Sequence, residues 1–286
     1  MTTCPLCAHP RALGLFWKTG VPFHACRRCG VVTRGGPPEA DTYDDYFPDL
    51  THALPPLTRR RYEDLLRSLA RYRETGRFLD VGCGGGFLVE AARDLGWRAE
   101  GVEPSRPAVA FGRSLGLDLH LGTLDDHAFD AGAYDLITMM EVIEHVGDPV
   151  SLVRGAARLL RPGGALYLTT PNWGSFSRRF LGKRWFPIAR EHLVLFDPAT
   201  IRDALRRGGL EPIDVGSANV QPHELLARFR PPSGTGSAPR CMARTMEVRE
   251  TIEARPALRV AKRLVNRVLG AAGLGDTLRA LAERRA

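Results

Sequence analysis

The chain has 286 residues, of which 44% are hydrophobic and 25% charged, and its formal net charge is +8. This length can bury a full α/β core and leave about one hundred residues for smaller modules. No apolar run approaches the ~18 residues of a membrane-spanning helix, and the first residues lack the pattern of a secretory signal. We therefore expect a cytoplasmic protein.

Four of the six cysteines form two C-x-x-C pairs near the start of the chain. Cys4 and Cys7 make the first pair, Cys26 and Cys29 make the second, and eighteen residues separate the two pairs. This is the spacing of a zinc ribbon in which four thiolates hold one structural ion. Two disulfides or metal-free thiols are the alternatives. We assign the ribbon to residues 1–35.

A connector at residues 36–74 follows the ribbon. Its second half has a helical pattern from about Thr58 to Tyr72, with Tyr62 and three leucines on one face. That apolar face predicts a helix packed beside a sheet.

A glycine-rich turn follows the first apolar run of the next segment. Glycines at positions 82, 84 and 86 permit positive φ and remove Cβ atoms, so a ligand can lie against backbone N–H groups where a helix begins. Phe87 stands where the dinucleotide-binding pattern G-x-G-x-x-G/A requires a small residue. A nucleoside other than a dinucleotide is therefore indicated.

An acid at the end of the second predicted strand supports this interpretation. Strand 98–102 is followed by Glu103, about 20 residues beyond the turn, where an acid can accept hydrogen bonds from both ribose hydroxyls. Further strands are predicted at 117–121, 133–140, 165–172 and 210–215, with helical patterns between them. This alternation predicts an α/β protein with a doubly wound, mostly parallel sheet.

Three motifs together resemble a known family. Asp80 lies two residues before G-x-G-x-G, as in motif I of class I S-adenosylmethionine-dependent methyltransferases. The stretches Glu141-Val-Ile-Glu-His-Val and Glu191-His-Leu-Val-Leu-Phe are similar to the ubiquinone-biosynthesis O-methyltransferase branch. The resemblance covers roughly residues 75–217. It implies a core at 75–218 that contains a lid at 171–196, and a seven-stranded sheet closed by an antiparallel last strand.

The last strand predicted from this resemblance lies in residues 273–286, after a basic helical insertion at 219–272. That insertion has helical patterns at about 241–253 and 256–269. The second pattern is amphipathic and basic, so it packs on its own domain or a second subunit, or it lies on a membrane surface.

The resemblance also implies a cofactor site. Asp80 and Gly82 would approach the amino-acid part of S-adenosylmethionine, and Glu103 its ribose. The full cofactor-binding set implied is Asp80, Gly82, Gly84, Gly86, Glu103, Thr123, Leu124, Met140 and Glu141.

A hydroxyl acceptor needs a group that takes its proton. His145, His192 and Glu144 are the candidates, because histidine titrates near neutrality. In ubiquinone-type relatives an E-x-x-E-H stretch can hold a divalent cation, and Glu141, Glu144 and His145 match it. The same spacing also arises at an ordinary helix start, where the dipole favours glutamate.

The predicted lid is rich in aromatic and basic residues. Such a segment can enclose a planar or anionic small molecule, or it can stack on nucleic-acid bases. The leading hypothesis is methyl transfer to a hydroxyl, or an activated carbon, of a small-molecule biosynthetic intermediate. The alternative is an rRNA or tRNA base methyltransferase guided by the zinc ribbon and the basic C-terminal region, where thirteen Arg and Lys stand against six Asp and Glu from residue 221 onward.

Overall fold

The computed structural model describes residues 3–10, 12–18, 20–36, 54–219 and 255–285. Two predicted regions lie outside the described residues. They are the helical pattern at 241–253 and residues 37–53 of the connector.

Seven strands form one doubly wound sheet, as predicted. In chain order they are β4 (Arg77–Val81), β5 (Arg98–Glu103), β6 (Asp118–Leu121), β7 (Tyr134–Met140), β8 (Leu160–Pro171), β10 (Glu211–Ala218) and β11 (Thr277–Glu283). Their spatial order is β10-β11-β8-β7-β4-β5-β6. The strands from β8 to β6 run parallel, whereas β11 is antiparallel to both β8 and β10. The structure thus places the last strand where the sequence pattern predicted it.

Helices cover both faces of this sheet. They are α1 (Pro56–Ser68), α2 (Phe87–Asp94), α3 (Arg106–Ser114), α4 (Pro149–Leu159), α5 (Phe176–Leu181), α6 (Pro198–Arg207) and α7 (Pro256–Ala271). Alternate residues of the strands point to opposite faces. Phe78 and Leu136 therefore join the core under α1 and α2, while Leu79 and Ile137 join the core under α4 and α6.

The C-terminal helix α7 keeps an apolar stripe on its outer side. Val260, Leu264, Val265 and Val268 are between 47% and 64% exposed. Its last turn approaches the main sheet at Gly270, where a Cβ atom would lie 2.8 Å from the Ser217 carbonyl oxygen. That this stripe packs on its own domain, on a second subunit or on a membrane surface stays a prediction. In the described part of the chain, no helix is long and apolar enough to cross a bilayer.

The N-terminal ribbon is joined to the lid in one small sheet. Its strands are β1 (Ala12–Lys18), β2 (Val21–Cys26) and β3 (Val32–Arg34), and β9 (Val194–Leu195) from the lid completes the order β1-β2-β3-β9. The two segments also share a core that contains Phe23, Trp185 and Ile188. The sequence pattern predicts the ribbon and the lid as separate units, but the edge of β3 is paired with the lid.

Candidate active site

The four ribbon cysteines have the geometry of a metal-binding cluster. The Sγ atoms of Cys4 and Cys29 are 3.6 Å apart, those of Cys7 and Cys26 are 3.5 Å apart, and all four lie within 4.8 Å of one another. Tetrahedral zinc with Zn–S bonds of about 2.3 Å needs sulfurs about 3.8 Å apart. A disulfide needs about 2.05 Å, and none of these cysteines is bonded in that way.

The charges around these sulfurs also suit a cation. Burial raises the pKa of Cys4 and of Cys29. Burial acts in the same direction on Cys26, but backbone N–H donation from Cys29 and Arg28 outweighs it and lowers the Cys26 pKa to about 7. A divalent ion would allow all four to ionise, since it neutralises the thiolate charge. The cluster fits zinc, which would hold the two knuckles together.

The glycine turn connects β4 to α2 in the predicted conformation. Gly82, Gly84 and Gly86 all have positive φ, between 53° and 82°. At Gly82 a Cβ atom would lie 2.4 Å from the Val142 Cγ2 atom, so the turn requires glycine where the segment after β7 crosses it. Gly86 precedes α2 and carries no side chain that could cap the helix. The first N–H groups of a helix have no partner within it, so this turn can receive a polar ligand.

Glu103 lies at the end of β5 with its carboxylate turned to the glycine turn. One carboxylate oxygen accepts the Gly84 N–H at 3.0 Å, and the other accepts the Ser105 N–H at 2.9 Å. A carboxylate has about four acceptor positions, so two remain for ribose hydroxyls. The side chain is only 4% exposed, and this burial raises its pKa.

Asp80 is the buried acid on the other side of the turn. Its carboxylate accepts a hydrogen bond from the Thr138 hydroxyl at 2.6 Å. Burial, together with the charge of Glu103, raises the Asp80 pKa to about 7. A carboxylate in this state gains most from an added cation, so the position suits the ammonium group of an amino acid.

Tyr62 was not identified as a site residue from the sequence, which placed it only on the apolar face of a helix. In the structure α1 brings its hydroxyl into the neighbourhood of Asp80. Burial and the charge of Asp80 raise the Tyr62 pKa to about 12. No local sequence motif marks this electrostatic interaction, since it depends on how α1 packs.

Local contacts position the residues of the predicted adenine side. Thr123 and Asp126 form a capping box in which the Thr123 N–H and hydroxyl both donate to the Asp126 carboxylate, each at 2.7 Å. The Leu124 side chain is only 3% exposed and packs toward α4. Only the backbone of Leu124 can therefore meet a nucleobase. Met140, at the end of β7, is half-buried near the Thr169 hydroxyl.

Glu141 has an unusual backbone conformation, with φ of 57°. The chain turns sharply there, directly after β7, and the Glu141 N–H donates to the Thr169 carbonyl. Its side chain reaches solvent, although the surrounding protein raises its pKa. Glu141 therefore lies exposed at the carboxyl edge of the sheet.

Glu144, His145 and His192 meet in one cluster. One ligand atom from each lies within 4.8 Å of the others. The two imidazole rings are edge to face, with centroids 4.7 Å apart. Glu144 is completely buried; the Thr170 hydroxyl donates to its Oε2, whereas its Oε1 has no hydrogen-bond partner in the described part of the chain.

Each histidine in the cluster is anchored through Nδ1. The His145 Nδ1 lies 3.1 Å from the Glu191 carbonyl oxygen, and the His192 Nδ1 lies 2.7 Å from the Pro187 carbonyl oxygen. A carbonyl only accepts, so Nδ1 carries the proton in both rings and Nε2 keeps a lone pair. Burial lowers the pKa of each histidine to about 4. Both are therefore neutral at pH 7.

The structure changes the predicted set of cation ligands. The sequence grouped Glu141, Glu144 and His145, but His192 stands in the place expected for Glu141. Burial and the nearby Glu141 raise the Glu144 pKa well above its usual range. Two imidazole nitrogens and one carboxylate form a donor set that suits a divalent transition metal.

The ribbon reaches this cluster. Lys18 of β1 donates from Nζ to the Trp185 carbonyl at 2.8 Å, and its charge lowers the pKa of His192 further. The Leu193 N–H, next to β9, donates to the Glu144 carbonyl at 2.7 Å. The lid is thus held between the ribbon on one side and the segment carrying Glu144 on the other.

Known proteins resemble this chain in sequence and in fold. The model of a methyltransferase domain family matches residues 56–215. The ubiquinone biosynthesis O-methyltransferase of Xanthomonas axonopodis pv. citri (strain 306) is 34% identical over 193 residues, which is 62% of this chain and 78% of the relative. That of Bordetella avium (strain 197N) is 32% identical over 187 residues, covering 60% and 75%. A solved S-adenosylmethionine-dependent methyltransferase from Archaeoglobus fulgidus has a TM-score of 0.52 at 18% identity, covering 79% of this chain and 94% of that one, which supports the fold alone.

Proposed function

Because this chain belongs to the S-adenosylmethionine-dependent methyltransferase domain family, we propose that it methylates a hydroxyl oxygen of a small-molecule biosynthetic intermediate. Bound S-adenosylmethionine supplies an electrophilic methyl group. The chain's own residues must then hold the nucleoside, orient the acceptor and take up a proton.

The cofactor side of the proposal rests on two acids. Glu103 faces the glycine turn with acceptor positions left for ribose hydroxyls. Asp80 is buried at the end of β4, where an ammonium group would relieve the cost of its ionisation. Tyr62, from α1, borders the same end of the site.

The observation that carries the acceptor side is the cluster of Glu144, His145 and His192. A hydroxyl that receives a methyl group becomes a strong acid, so even a weakly basic imidazole can remove its proton. The Nε2 atom of His192, which keeps a lone pair because Nδ1 carries the proton, is the acceptor for it. The unpartnered Oε1 of Glu144 then stabilises the imidazolium that forms.

The same three donors could instead hold a divalent cation that orients the acceptor oxygen. Proton acceptance and cation binding can be distinguished by metal dependence, because only cation binding requires a metal ion. Methyl transfer to an activated carbon would not require the cluster to take a proton from a hydroxyl or to orient a hydroxyl oxygen.

The test is a mass-spectrometric search for a gain of one methyl group in metabolite and RNA pools incubated with the protein and S-adenosylmethionine. Once an acceptor is found, we expect His192→Asn to lower kcat by about 100-fold or more while cofactor affinity is retained. The control is His120→Asn, because His120 lies on the edge strand β6 and contacts Glu100. Loss of activity in chelator, in protein that still holds one zinc per chain at the ribbon cysteines, assigns the cluster to a cation.

Methylated RNA with unmodified metabolites would overturn the proposal in favour of RNA base methylation. An unchanged kcat in the His192 variant would remove that residue from the reaction.

A further inference from the structure

Beside the histidine cluster, a cavity of about 220 Å³ lies at the seam between ribbon and lid. Leu15 and Phe16 of β1 form one wall, and lid residues form the other. The lid residues that line it are Trp173, Arg178, Gly182, Lys183 and Ile188. It is open to solvent on one side.

The walls are built from stacked rings that belong to both segments. Phe16 stacks on Trp173 at 6.2 Å with an angle of 15° between the planes, and on Phe23 at 5.2 Å. Trp173 also meets the buried Trp185 edge to face. Aromatic walls of this kind hold a flat or aliphatic group by dispersion and by exclusion of water.

Two cations border this apolar space. The Arg178 guanidinium lies 4.3 Å from the centroid of Trp173, and the Lys183 ammonium lies 5.7 Å from that of Phe16. The Arg178 Nε donates to the Trp173 carbonyl at 2.8 Å, which fixes the side chain across the ring. Within the described residues, neither cation forms an ion pair with a carboxylate at 4 Å or less.

An unpaired, half-buried cation at an apolar wall is costly unless an anion joins it. Burial, and then the charge of Arg179, lower the Arg178 pKa, which reflects that cost. An anionic ligand would remove it, and the guanidinium can bind a carboxylate or phosphate with two parallel hydrogen bonds.

The size of the cavity limits the apolar part of the ligand. An apolar cavity of about 150 Å³ accepts benzene. A space of about 220 Å³ therefore takes one substituted six-membered ring, but it is smaller than the ~300 Å³ at which pockets for drug-sized molecules begin.

The cavity also adjoins the proposed reaction site through the chain. Ile188 lines it, and the preceding residue, Pro187, provides the carbonyl that anchors His192. Occupying the cavity would therefore place a ligand against the segment that holds a catalytic imidazole.

We propose that this seam is the binding site for the acceptor's anionic ring, with a single six-membered ring against Phe16 and Trp173 and its carboxylate or phosphate on Arg178 and Lys183. This inference rests on the proposed function and narrows the acceptor to anionic, ring-containing molecules. It also gives the ribbon a direct role in acceptor binding.

Benzoate and its neutral counterpart benzamide provide a matched pair of probes. Their dissociation constants are measured on the full chain by ligand-observed NMR titration. We expect benzoate to bind roughly tenfold more tightly than benzamide, the size of one charge-assisted hydrogen bond. Equal affinities for the two probes in the wild type would overturn the inference without any variant.

Substitutions then locate the site. Arg178→Gln should remove the preference for benzoate, whereas Arg179→Gln, at the adjacent exposed arginine, should retain it. Leu15→Trp at the exposed rim should block both probes. A preference for benzoate that survives Arg178→Gln would place the anion elsewhere and refute the proposed site.

Calorimetric titration of S-adenosylmethionine on the same preparations separates the two proposals. If S-adenosylmethionine binds and benzoate does not, the cavity inference alone fails. If benzoate binds as expected but no methyl transfer is found with any pool, the proposed function alone fails. With an acceptor in hand, Arg178→Gln should raise its KM by about tenfold at nearly constant kcat.

Discussion

Removing the ribbon metal should damage the acceptor side of the site and spare the cofactor side. The perturbation is Cys29→Ser combined with a strong chelator. Cys29 is only half-buried, so serine can replace it without opening a core cavity. Cys241→Ser, at a cysteine outside the described residues, is the control.

The expected magnitude follows from the contacts between ribbon and lid. The Arg34 N–H donates to the Leu193 carbonyl at 2.9 Å, the Arg34 Nη1 donates to the Arg190 carbonyl at 2.8 Å, and the Lys18 ammonium donates to the Trp185 carbonyl at 2.8 Å. A neutral bond contributes about 1 kcal/mol and a bond from a charged donor about 1.5–3 kcal/mol, so the three stabilise the docked lid by roughly 4–7 kcal/mol.

Since each 1.4 kcal/mol is about a factor of ten, the docked population of a lid without its ribbon falls by a thousandfold or more. We expect kcat/KM for the acceptor to fall by at least about 100-fold in the zinc-free variant. Asp80 and Glu103 take their contacts from the main sheet and its glycine turn, so the dissociation constant of S-adenosylmethionine should hardly change.

Two assays on one preparation decide the matter: acceptor turnover and calorimetric titration of S-adenosylmethionine. Full turnover in the zinc-free protein would show that the lid docks without the ribbon. A parallel loss of cofactor affinity would show that the ribbon supports the whole fold, which would also refute the reasoning.

Three further predictions concern buried acids. Glu103→Ala should weaken S-adenosylmethionine binding by at least tenfold in calorimetry, because both ribose acceptors are lost. Asp125→Ala serves as a surface control. An unchanged affinity in Glu103→Ala would contradict the proposed pose. The folded-state pKa of Asp80 is raised to about 7 from an ordinary value near 4, so the wild type loses stability as pH rises from about 4 to 7. In urea denaturation of the apo-protein, the free energy of unfolding of Asp80→Asn should therefore increase relative to that of the wild type across this pH range. A difference that does not change with pH would argue against this assignment. Asp135 is fully buried and pairs with Arg161 at 2.6 Å, so Asp135→Ala should lower the free energy of unfolding by about 3–5 kcal/mol, and a loss below about 1 kcal/mol would show that the pair is dispensable.

The sequence by itself determined the features that depend on local spacing. The two C-x-x-C pairs, the glycine turn and Glu103 could be assigned because each depends on a few neighbouring residues whose conformation glycine, cysteine geometry or strand periodicity dictates. The alternation of strands and helices fixed the fold class in the same way, and the weak alternation after residue 275 located the final strand.

Only the tertiary structure decided which distant residues share the reaction site. His192 joins Glu144 and His145 although it lies almost fifty residues further along the chain, and it does so because β9 pairs with the ribbon. Glu141 is not a member of that cluster, although its charge acts on Glu144.

The same holds for Tyr62, whose electrostatic interaction with Asp80 depends on the packing of α1, and for Leu124, whose side chain is buried under α4. Local patterns specify which face of a helix or strand is apolar. The partner that covers that face is decided by the packing of many side chains at once and by pairing between strand edges far apart in the chain. No local sequence pattern carries that information.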